Sequence, residues 1–194
     1  MKIYNITHYK AHPESPHQLL QSRTEEKYKD VCWSRSHRVS RQQGLSPEYT
    51  SFLFRLKNDL LVTRERLFRV KKSPDPLCVH CRTEEGHTHI LTCEYNSQVT
   101  VPLKSLIHQY MPDISLESIV CMDWEIEGTA AELPLLWVTA LCLSYVWDKR
   151  KLGRPVSVTE CNAELIGQWN VARKTKHENA ATVFEQMIRE FITR

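Results

Sequence analysis

Glycine is scarce in this chain, with five among 194 residues, and no stretch alternates apolar and polar side chains as a half-buried strand does. The sequence has no glycine-rich loop of the kind that holds phosphates. It also shows no serine, histidine and aspartate spacing of a hydrolase and no recognisable redox cysteine pair. These absences favour a helical protein, and the sequence carries no motif of these common enzyme classes.

Long apolar runs are missing as well. The longest, Leu133 to Trp147, spans fifteen residues and includes Pro134, Thr139 and Ser144, whereas a membrane-spanning helix needs about 20 apolar residues. The first residues lack the apolar segment of a secretory signal. We therefore expect a buried core helix over this run, no membrane partner, and an intracellular location, nucleus or cytoplasm, in which cysteines stay reduced.

Charge is unevenly distributed along the chain. Residues 1–75 carry 15 Lys and Arg against 8 Asp and Glu, a net charge of +7, whereas residues 76–194 carry 11 against 15, a net charge of −4. A polyanion such as RNA or DNA is therefore expected to contact the first part of the chain.

Three cysteines and three histidines fall within sixteen consecutive residues that begin at Cys78. Cys78 and Cys81 form a Cys-x2-Cys turn, which can supply two thiolates to a tetrahedral metal ion. His89 and Cys93 are four residues apart, so a short helix capped by Thr88 would point both toward that turn. The spacing predicts a structural zinc site with these four ligands and no open position for a reacting water. We call residues 78–93 the knuckle.

Two alternatives to this ligand set stay open. His87 is a second candidate imidazole, because Gly86 could turn it toward the cysteines, although its spacing to Cys93 does not place both on one helix face. The cysteines could instead be buried free thiols or form a disulfide, although seven is an odd number and disulfides need an oxidising compartment. His80, inside the Cys-x2-Cys turn, is expected to face solvent.

Helical periodicity runs through the chain from residue 46 onward. Ser46 and Pro47 predict a helix to about Leu61, and Thr63 predicts a short second helix over 64–70, with Leu67 and Phe68 turned inward. Further helices are predicted from about Val99 to before Pro112, from Ser115 to Val120, from Ala131 to Leu152 with Gly153 as its stop, after the capping box of Ser157 and Glu160, and over Val183 to Phe191.

These patterns divide the chain into three regions. Residues 1–45 have little apolar periodicity and are predicted to be an irregular or partly disordered lead-in, mobile relative to the rest. Residues 46–112 should hold a helix pair and the zinc knuckle, and residues 113–194 a C-terminal helical region. The predicted fold class is mainly α, a helical domain with an inserted CCHC zinc knuckle.

Five cations lie within nine residues directly before the Cys-x2-Cys turn, and we call this set the basic ridge: Arg64, Arg66, Arg69, Lys71 and Lys72. A neighbouring metal site could fix such a ridge so that it contacts phosphates. The alternative is an ordinary solvated helix face.

Other candidate residues are more scattered. Trp33 lies among spaced cations in residues 32–41, where its ring could stack on a base, although such stretches are commonly solvated tails. The cysteines outside the knuckle are interpreted as small apolar side chains rather than reactive thiols: Cys32, Cys121, Cys142 and Cys161.

The order of these motifs resembles the zinc-binding C-terminal region of reverse transcriptases from non-LTR (LINE-type) retrotransposons. An apolar helix over 45–56 and the segment 60–67 precede the Cys-x2-Cys, and Glu84-Glu85 and His89-Ile90-Leu91 precede the last cysteine, as in that family. Leu133–Trp137 and Trp147–Arg150 resemble its downstream tryptophan-containing helix. The likeness covers about residues 45–175.

This resemblance implies a zinc-binding, nucleic-acid-binding tail, and the chain departs from the family in two ways. The family usually places four residues between the histidine and the last cysteine, where this chain has three. The chain also has no aromatic-x-Asp-Asp motif, and 194 residues cannot contain fingers, palm and thumb. The polymerase itself is therefore expected to be absent.

Three functions follow as hypotheses. The first is a non-catalytic module, from a truncated or domesticated retroelement, that binds RNA or DNA phosphates through the basic ridge. The second is a structural remnant that offers helices within 131–194 to a protein partner. The third is a metal-dependent endonuclease, because Pro112-Asp113, Asp123, Glu125 and Glu127 loosely resemble the nuclease of some such elements, without its lysine. An exposed ridge would favour the first hypothesis, and dispersal of the cations into salt bridges the second.

Overall fold

The computed structural model of the protein describes residues 24–40, 45–126, 130–174 and 178–193. Within these ranges the chain is mainly helical and contains no strand, and its isolated antiparallel bridge joins Leu77 to Glu84 at the knuckle. The mainly α fold class is confirmed.

The helices are numbered here in chain order. Those before and within the knuckle are α1 (Trp33–Ser40), α2 (Pro47–Lys57), α3 (Arg64–Arg69) and α4 (His89–Thr92). Those that follow are α5 (Ser97–Tyr110), α6 (Leu116–Cys121), α7 (Glu132–Lys151), α8 (Val158–Ala172) and α9 (Glu178–Ile192), and a 3-10 turn, Glu94–Asn96, joins α4 to α5.

Side-chain caps begin several helices where the sequence predicts them. Thr63 accepts a hydrogen bond from the Arg66 N–H at the start of α3. Ser115 does the same at α6 and Ser157 at α8, each for the N–H three residues later. These caps satisfy donors that the first helical turn leaves free, which is why the predicted starts are accurate.

Helix α2 ends at Lys57, about one turn earlier than predicted. Asp59 adopts a left-handed conformation with φ 51°, and the N–H of Leu60 donates to the carbonyl of Arg55 at 2.7 Å. This arrangement is a Schellman motif, which terminates a helix and usually carries glycine at the left-handed position. An aspartate there gives no sequence signal for a helix end.

Helix α7 is the centre of the fold. Its side chains from Pro134 to Trp147 are all buried, and α2, α5, α8 and α9 pack on it. Because these four helices come from both sides of residue 112, the predicted regions 46–112 and 113–194 share one hydrophobic core. No helix in the described ranges combines the length and the apolar character needed to cross a bilayer.

Part of the predicted lead-in is structured. Residues 24–27 and α1 are helical. Asp123 accepts hydrogen bonds from the Cys32 backbone N–H at 2.8 Å and from Arg35 Nε at 2.6 Å, and Arg35 also pairs with Glu125. The prediction of an irregular segment is therefore wrong for residues 24–40, because the partners that order it lie some 90 residues away. Residues 1–23 and 41–44 lie outside the described part.

The Asp123 carboxylate should be a main anchor of α1. Its side chain is 3% exposed, whereas that of Glu125 is 69% exposed. We expect Asp123→Asn to lower the free energy of unfolding by about 2 kcal/mol, since the amide leaves Arg35 Nε without its buried, charged acceptor. Glu125→Gln, the matched control, should change it very little. Urea denaturation followed by circular dichroism measures both, and equal losses would contradict this account.

Candidate metal centre

Backbone turns of the knuckle present the first two cysteines. The N–H of Cys78 donates to the Thr83 carbonyl at 2.7 Å, and the N–H of Arg82 donates to the Cys78 carbonyl at 3.0 Å. Arg82 adopts the left-handed conformation, with φ 61°, and so reverses the chain directly after Cys81. The Cys78 side chain is buried and that of Cys81 is partly exposed.

The short helix α4 presents the other two side chains. It begins at His89, and the N–H of Cys93 donates to the His89 carbonyl at 2.9 Å. This bond spans one helical turn, so His89 and Cys93 lie on the same side, as their spacing predicts. Thr88 precedes the helix but makes no side-chain capping bond.

The four side chains converge on one point. Their ligand atoms all lie within 4.8 Å of one another, with Cys78 Sγ 3.9 Å from Cys93 Sγ and Cys81 Sγ 3.4 Å from His89 Nε2. The separation of the two sulfurs is far beyond a disulfide bond of about 2.05 Å. Cys78, Cys81, His89 and Cys93 therefore lie close enough to hold a metal ion, and the described part of the chain offers no second such group.

The alternative imidazole, His87, contacts a different part of the fold. It is buried, its Nε2 donates a hydrogen bond to the Leu56 carbonyl at the end of α2, and its ring lies 4.9 Å from that of Tyr28. His87 thus joins the knuckle to α2 and to the N-terminal segment, and the cluster contains His89 instead.

The solvent exposure of His80 differs from the predicted one. Its ring stacks on that of Tyr95, with centroids 3.9 Å apart and planes inclined by 8°, and the side chain is only partly exposed. The prediction that it faces solvent is wrong, because the 3-10 turn after Cys93 brings Tyr95 against the Cys-x2-Cys turn.

Burial shifts the pKa of two side chains of the cluster. It lowers the pKa of His89, which favours the neutral imidazole that binds metals. It raises the pKa of the Cys93 thiol to about 12, because the thiolate loses its hydration. A metal cation would supply the positive charge that stabilises the thiolate, so a cation bound at this site would replace protons.

A buried carboxylate anchors the knuckle to α7. The Glu85 side chain, 3% exposed, pairs through both oxygens with Nε and Nη2 of Arg150. The Arg150 guanidinium also lies 4.7 Å from the Trp147 ring centroid. In addition, Glu85 Oε2 accepts the backbone N–H of Arg64 at 2.8 Å, at the first residue of α3. One side chain thus joins the knuckle, α3 and the core helix.

Sequence analysis missed this role of Glu85. In the sequence, Glu84-Glu85 and Trp147–Arg150 stand out only as parts of the motif resemblance. Local patterns carry no signal for a pair 65 residues apart. Glu84, next to it, is exposed, so composition cannot distinguish the two.

The structure divides the basic ridge into two groups. Arg64 and Arg66 are half-buried and serve the fold: Arg64 Nη1 donates to Ser73 Oγ at 2.9 Å, and Arg66 Nη1 donates to the Asp59 carbonyl at 2.6 Å. Because Arg64 and Arg66 form hydrogen bonds within the protein, their arrangement favours the structural-remnant hypothesis.

The remaining three cations of the ridge are exposed. Arg69 is 54% exposed and pairs with Glu65 at 3.2 Å. Lys71 and Lys72 are exposed, and their side chains have no hydrogen bond or ion pair to any described residue. The available positive charge of the ridge therefore lies at its C-terminal end, directly before the knuckle.

The exposure of two aromatic residues, Phe68 of α3 and Trp33 of α1, is the reverse of the predicted one. Helix α3 buries none of its side chains, and Phe68 is 46% exposed instead of turned inward. Trp33 is half-buried, packs against the core and lies near the His37 ring. Phe68 is therefore an exposed aromatic side chain beside the ridge, whereas Trp33 is partly covered by the core.

The acids of the nuclease hypothesis line one cleft of about 490 Å³, which includes Asp113, Asp123 and Glu125. Arg35 lines the same cleft and pairs with both Asp123 and Glu125. Two of these carboxylates are thus already paired with a guanidinium, and the described acids form no group that could hold a metal ion. Glu127 lies outside the described residues.

The other cysteines and the C-terminal helices belong mainly to the core. Burial raises the pKa of Cys121 to about 12, and Cys142 and Cys161 lie buried with their sulfurs 3.7 Å apart. Cys32 is partly exposed. The apolar face of α9, which includes Phe184 and Phe191, packs inside this protein, so it is not free to receive a partner.

Comparison of the chain with protein-family models, with curated proteins and with solved structures finds no match. The resemblance to the retroelement family therefore depends on the quoted motifs alone.

Glu85→Gln should destabilise the protein by about 3 kcal/mol, because it leaves the partly buried Arg150 without its carboxylate partner. It should also weaken metal binding, since the knuckle loses its contact with α7. Chemical denaturation and competition with a chromophoric chelator measure the two effects. Glu84→Gln is the matched control and should change neither. Equal behaviour of the two variants would refute the anchoring role of Glu85.

Proposed function

We propose that this protein is a non-catalytic nucleic-acid-binding module, in which a zinc ion held by Cys78, Cys81, His89 and Cys93 fixes a basic surface segment for contact with RNA or DNA phosphates. The observation that carries the proposal is a pair of exposed lysines, Lys71 and Lys72, whose side chains have no partner among the described residues and which lie directly before a knuckle with converging candidate ligands.

The donor set and its distances support zinc as the ion. Thiolates about 2.3 Å from a tetrahedral zinc lie about 3.8 Å apart, and a thiolate and an imidazole nitrogen about 3.5 Å apart. The corresponding distances in this protein are 3.9 Å and 3.4 Å. Three sulfurs and one nitrogen complete the shell and leave no position for water, as in structural zinc sites.

The link between the knuckle and the lysines supports a role for the metal in binding. The N–H groups of Lys71 and Lys72 donate to the carbonyls of Phe68 and Leu67 at 2.9 and 2.8 Å, which fixes their backbone at the end of α3. The start of the same helix is held by Glu85, within the knuckle. A metal that orders the knuckle therefore also orders α3 and its lysines.

The charge pattern and the motif resemblance give further support. The first 75 residues carry the excess of positive charge, and Arg69 can add a third phosphate contact if phosphate replaces Glu65. Phosphate contacts of this kind carry little base selectivity. The resemblance to the zinc-binding tail of LINE-type reverse transcriptases implies the same kind of partner.

The structural-remnant hypothesis is the second candidate. It is favoured by one observation, the engagement of Arg64 and Arg66 with Ser73 and the Asp59 carbonyl. It predicts a folded, metal-containing protein with no affinity for RNA or DNA.

Zinc content tests the first half of the proposal. Purified protein should contain about one zinc per chain by elemental analysis, and Cys81→Ser with His89→Ala should remove it. His87→Ala is the control: it should keep the zinc while lowering stability, because His87 contacts α2 rather than the cluster. Metal affinity should rise with pH, since the thiols must lose protons to bind. Zinc loss in the His87 variant alone would contradict the assignment.

Salt dependence tests the second half. Lys71, Lys72 and Arg69 can neutralise about three phosphates, so log K against log salt should be no steeper than about −3. Lys71→Gly with Lys72→Ala should flatten this slope by about 1.4 for single strands and about 1.8 for duplex, at about 0.7 and 0.9 per phosphate. Glycine suits the left-handed backbone of Lys71, with φ 58°, so this variant should not lose stability.

The control for this titration carries Lys151→Ala and Arg154→Ala, two exposed cations outside the basic ridge, at and just after the C-terminal end of α7. Its slope should equal that of the parent. If the ridge variant and the parent have the same slope, the lysines are a solvated face; if the parent binds neither RNA nor DNA, the structural-remnant hypothesis is the better account.

A further inference from the structure

Phe68 is the exposed aromatic side chain closest in sequence to the unpartnered lysines. It lies in α3, a six-residue helix that buries none of its side chains, and it is 46% exposed. Val70, which ends the helix, is 56% exposed. About half of this apolar surface is therefore not buried in the protein's own core, and the Phe68 side chain is accessible to solvent.

The backbone brings this ring and the lysines together. The N–H of Lys71 donates to the Phe68 carbonyl, which makes residues 68–71 a tight turn whose end Cα atoms lie within about 7 Å of each other. Lys71 is also held in the left-handed conformation, at φ 58°, where a residue with a side chain is strained. An aromatic face and two free ammonium groups thus share one small, ordered surface.

We infer that this surface takes single-stranded nucleic acid, with one base stacked on Phe68 and the adjoining phosphates on Lys71 and Lys72. The inference rests on the proposed function and adds its substrate class. In a duplex the base faces are covered by their neighbours, whereas an unpaired base has a free face for an aromatic ring.

Helix geometry gives a second reason to prefer single strands. Recognition of a duplex commonly places a longer helix or a two-stranded ribbon in the major groove. Helix α3 has six residues, and Glu85 and Ser73 hold it against the knuckle. Its exposed end presents one ring and its flanking cations, which suits a flexible strand better than a groove.

An anionic membrane is the alternative partner, because it can bind cations that lie beside apolar side chains. Stable binding in the lipid interface requires an amphipathic helix with a large apolar face. Helix α3 offers chiefly Phe68, with Val70 beside it, and this apolar area is too small for such anchoring. Charge and stacking together therefore favour a nucleic acid.

The test compares fluorescently labelled single-stranded RNA, single-stranded DNA and duplex DNA of equal length, by anisotropy across a salt series. Phe68→Ala should weaken binding of both single strands by about fivefold to 100-fold, the range seen for loss of base stacking, and leave the salt slope unchanged. Duplex binding should change less than about twofold. Phe68→Trp, which restores an aromatic face, should bind single strands as the parent does.

Val70→Ala is the matched control, because it removes a neighbouring exposed apolar side chain that cannot stack. It should leave single-strand affinity unchanged. The inference is overturned if Phe68→Ala and Val70→Ala have equal effects, if Phe68→Ala weakens duplex binding as much as single-strand binding, or if the protein binds vesicles containing phosphatidylserine and loses this on Phe68→Ala.

Failure of the inference and failure of the proposed function give different results. A parent that binds nucleic acid with the expected salt slope, and a Phe68→Ala variant that binds equally well, overturn only the stacking role. A parent that binds no nucleic acid at any salt concentration overturns both.

Discussion

The buried ion pair between Glu85 and Arg150 is the contact on which the arrangement of the candidate site depends. Glu85 belongs to the knuckle and Arg150 to the last turn of the central helix, and the same carboxylate holds the first N–H of α3. A charge buried in this way is costly unless its partners stay in place. The pair therefore fixes the knuckle, the basic ridge and the core relative to one another.

The four candidate metal ligands and this ion pair belong to the same short segment. Cys78, Cys81, His89 and Cys93 bracket Glu85 in the sequence, so an ion that gathers the four ligands also limits the positions of Glu85. The proposed function extends this coupling to the surface, because Lys71 and Lys72 directly follow a helix whose first N–H is bound by Glu85. Binding of a polyanion and binding of the metal are then linked through one ordered segment.

Local sequence signals predicted the elements better than their contacts. Spacing alone identified the four converging ligands and most helices, because caps such as Thr63 and the four-residue step from His89 to Cys93 are local features. The early end of α2 was missed because Asp59 fills a left-handed position that glycine usually marks. The order of residues 24–40 and the role of Glu85 were missed because their partners, Asp123 and Arg150, lie far away in sequence.

Hydrogen exchange of the backbone amides in residues 64–72, measured by mass spectrometry, tests the central claim most directly. The claim is that the metal orders the segment that binds nucleic acid. Removal of the metal should speed exchange in this segment, and single-stranded RNA should slow it only in the metal-loaded protein. Exchange that is unaffected by the metal, or protection by RNA that is the same with and without it, would contradict the claim.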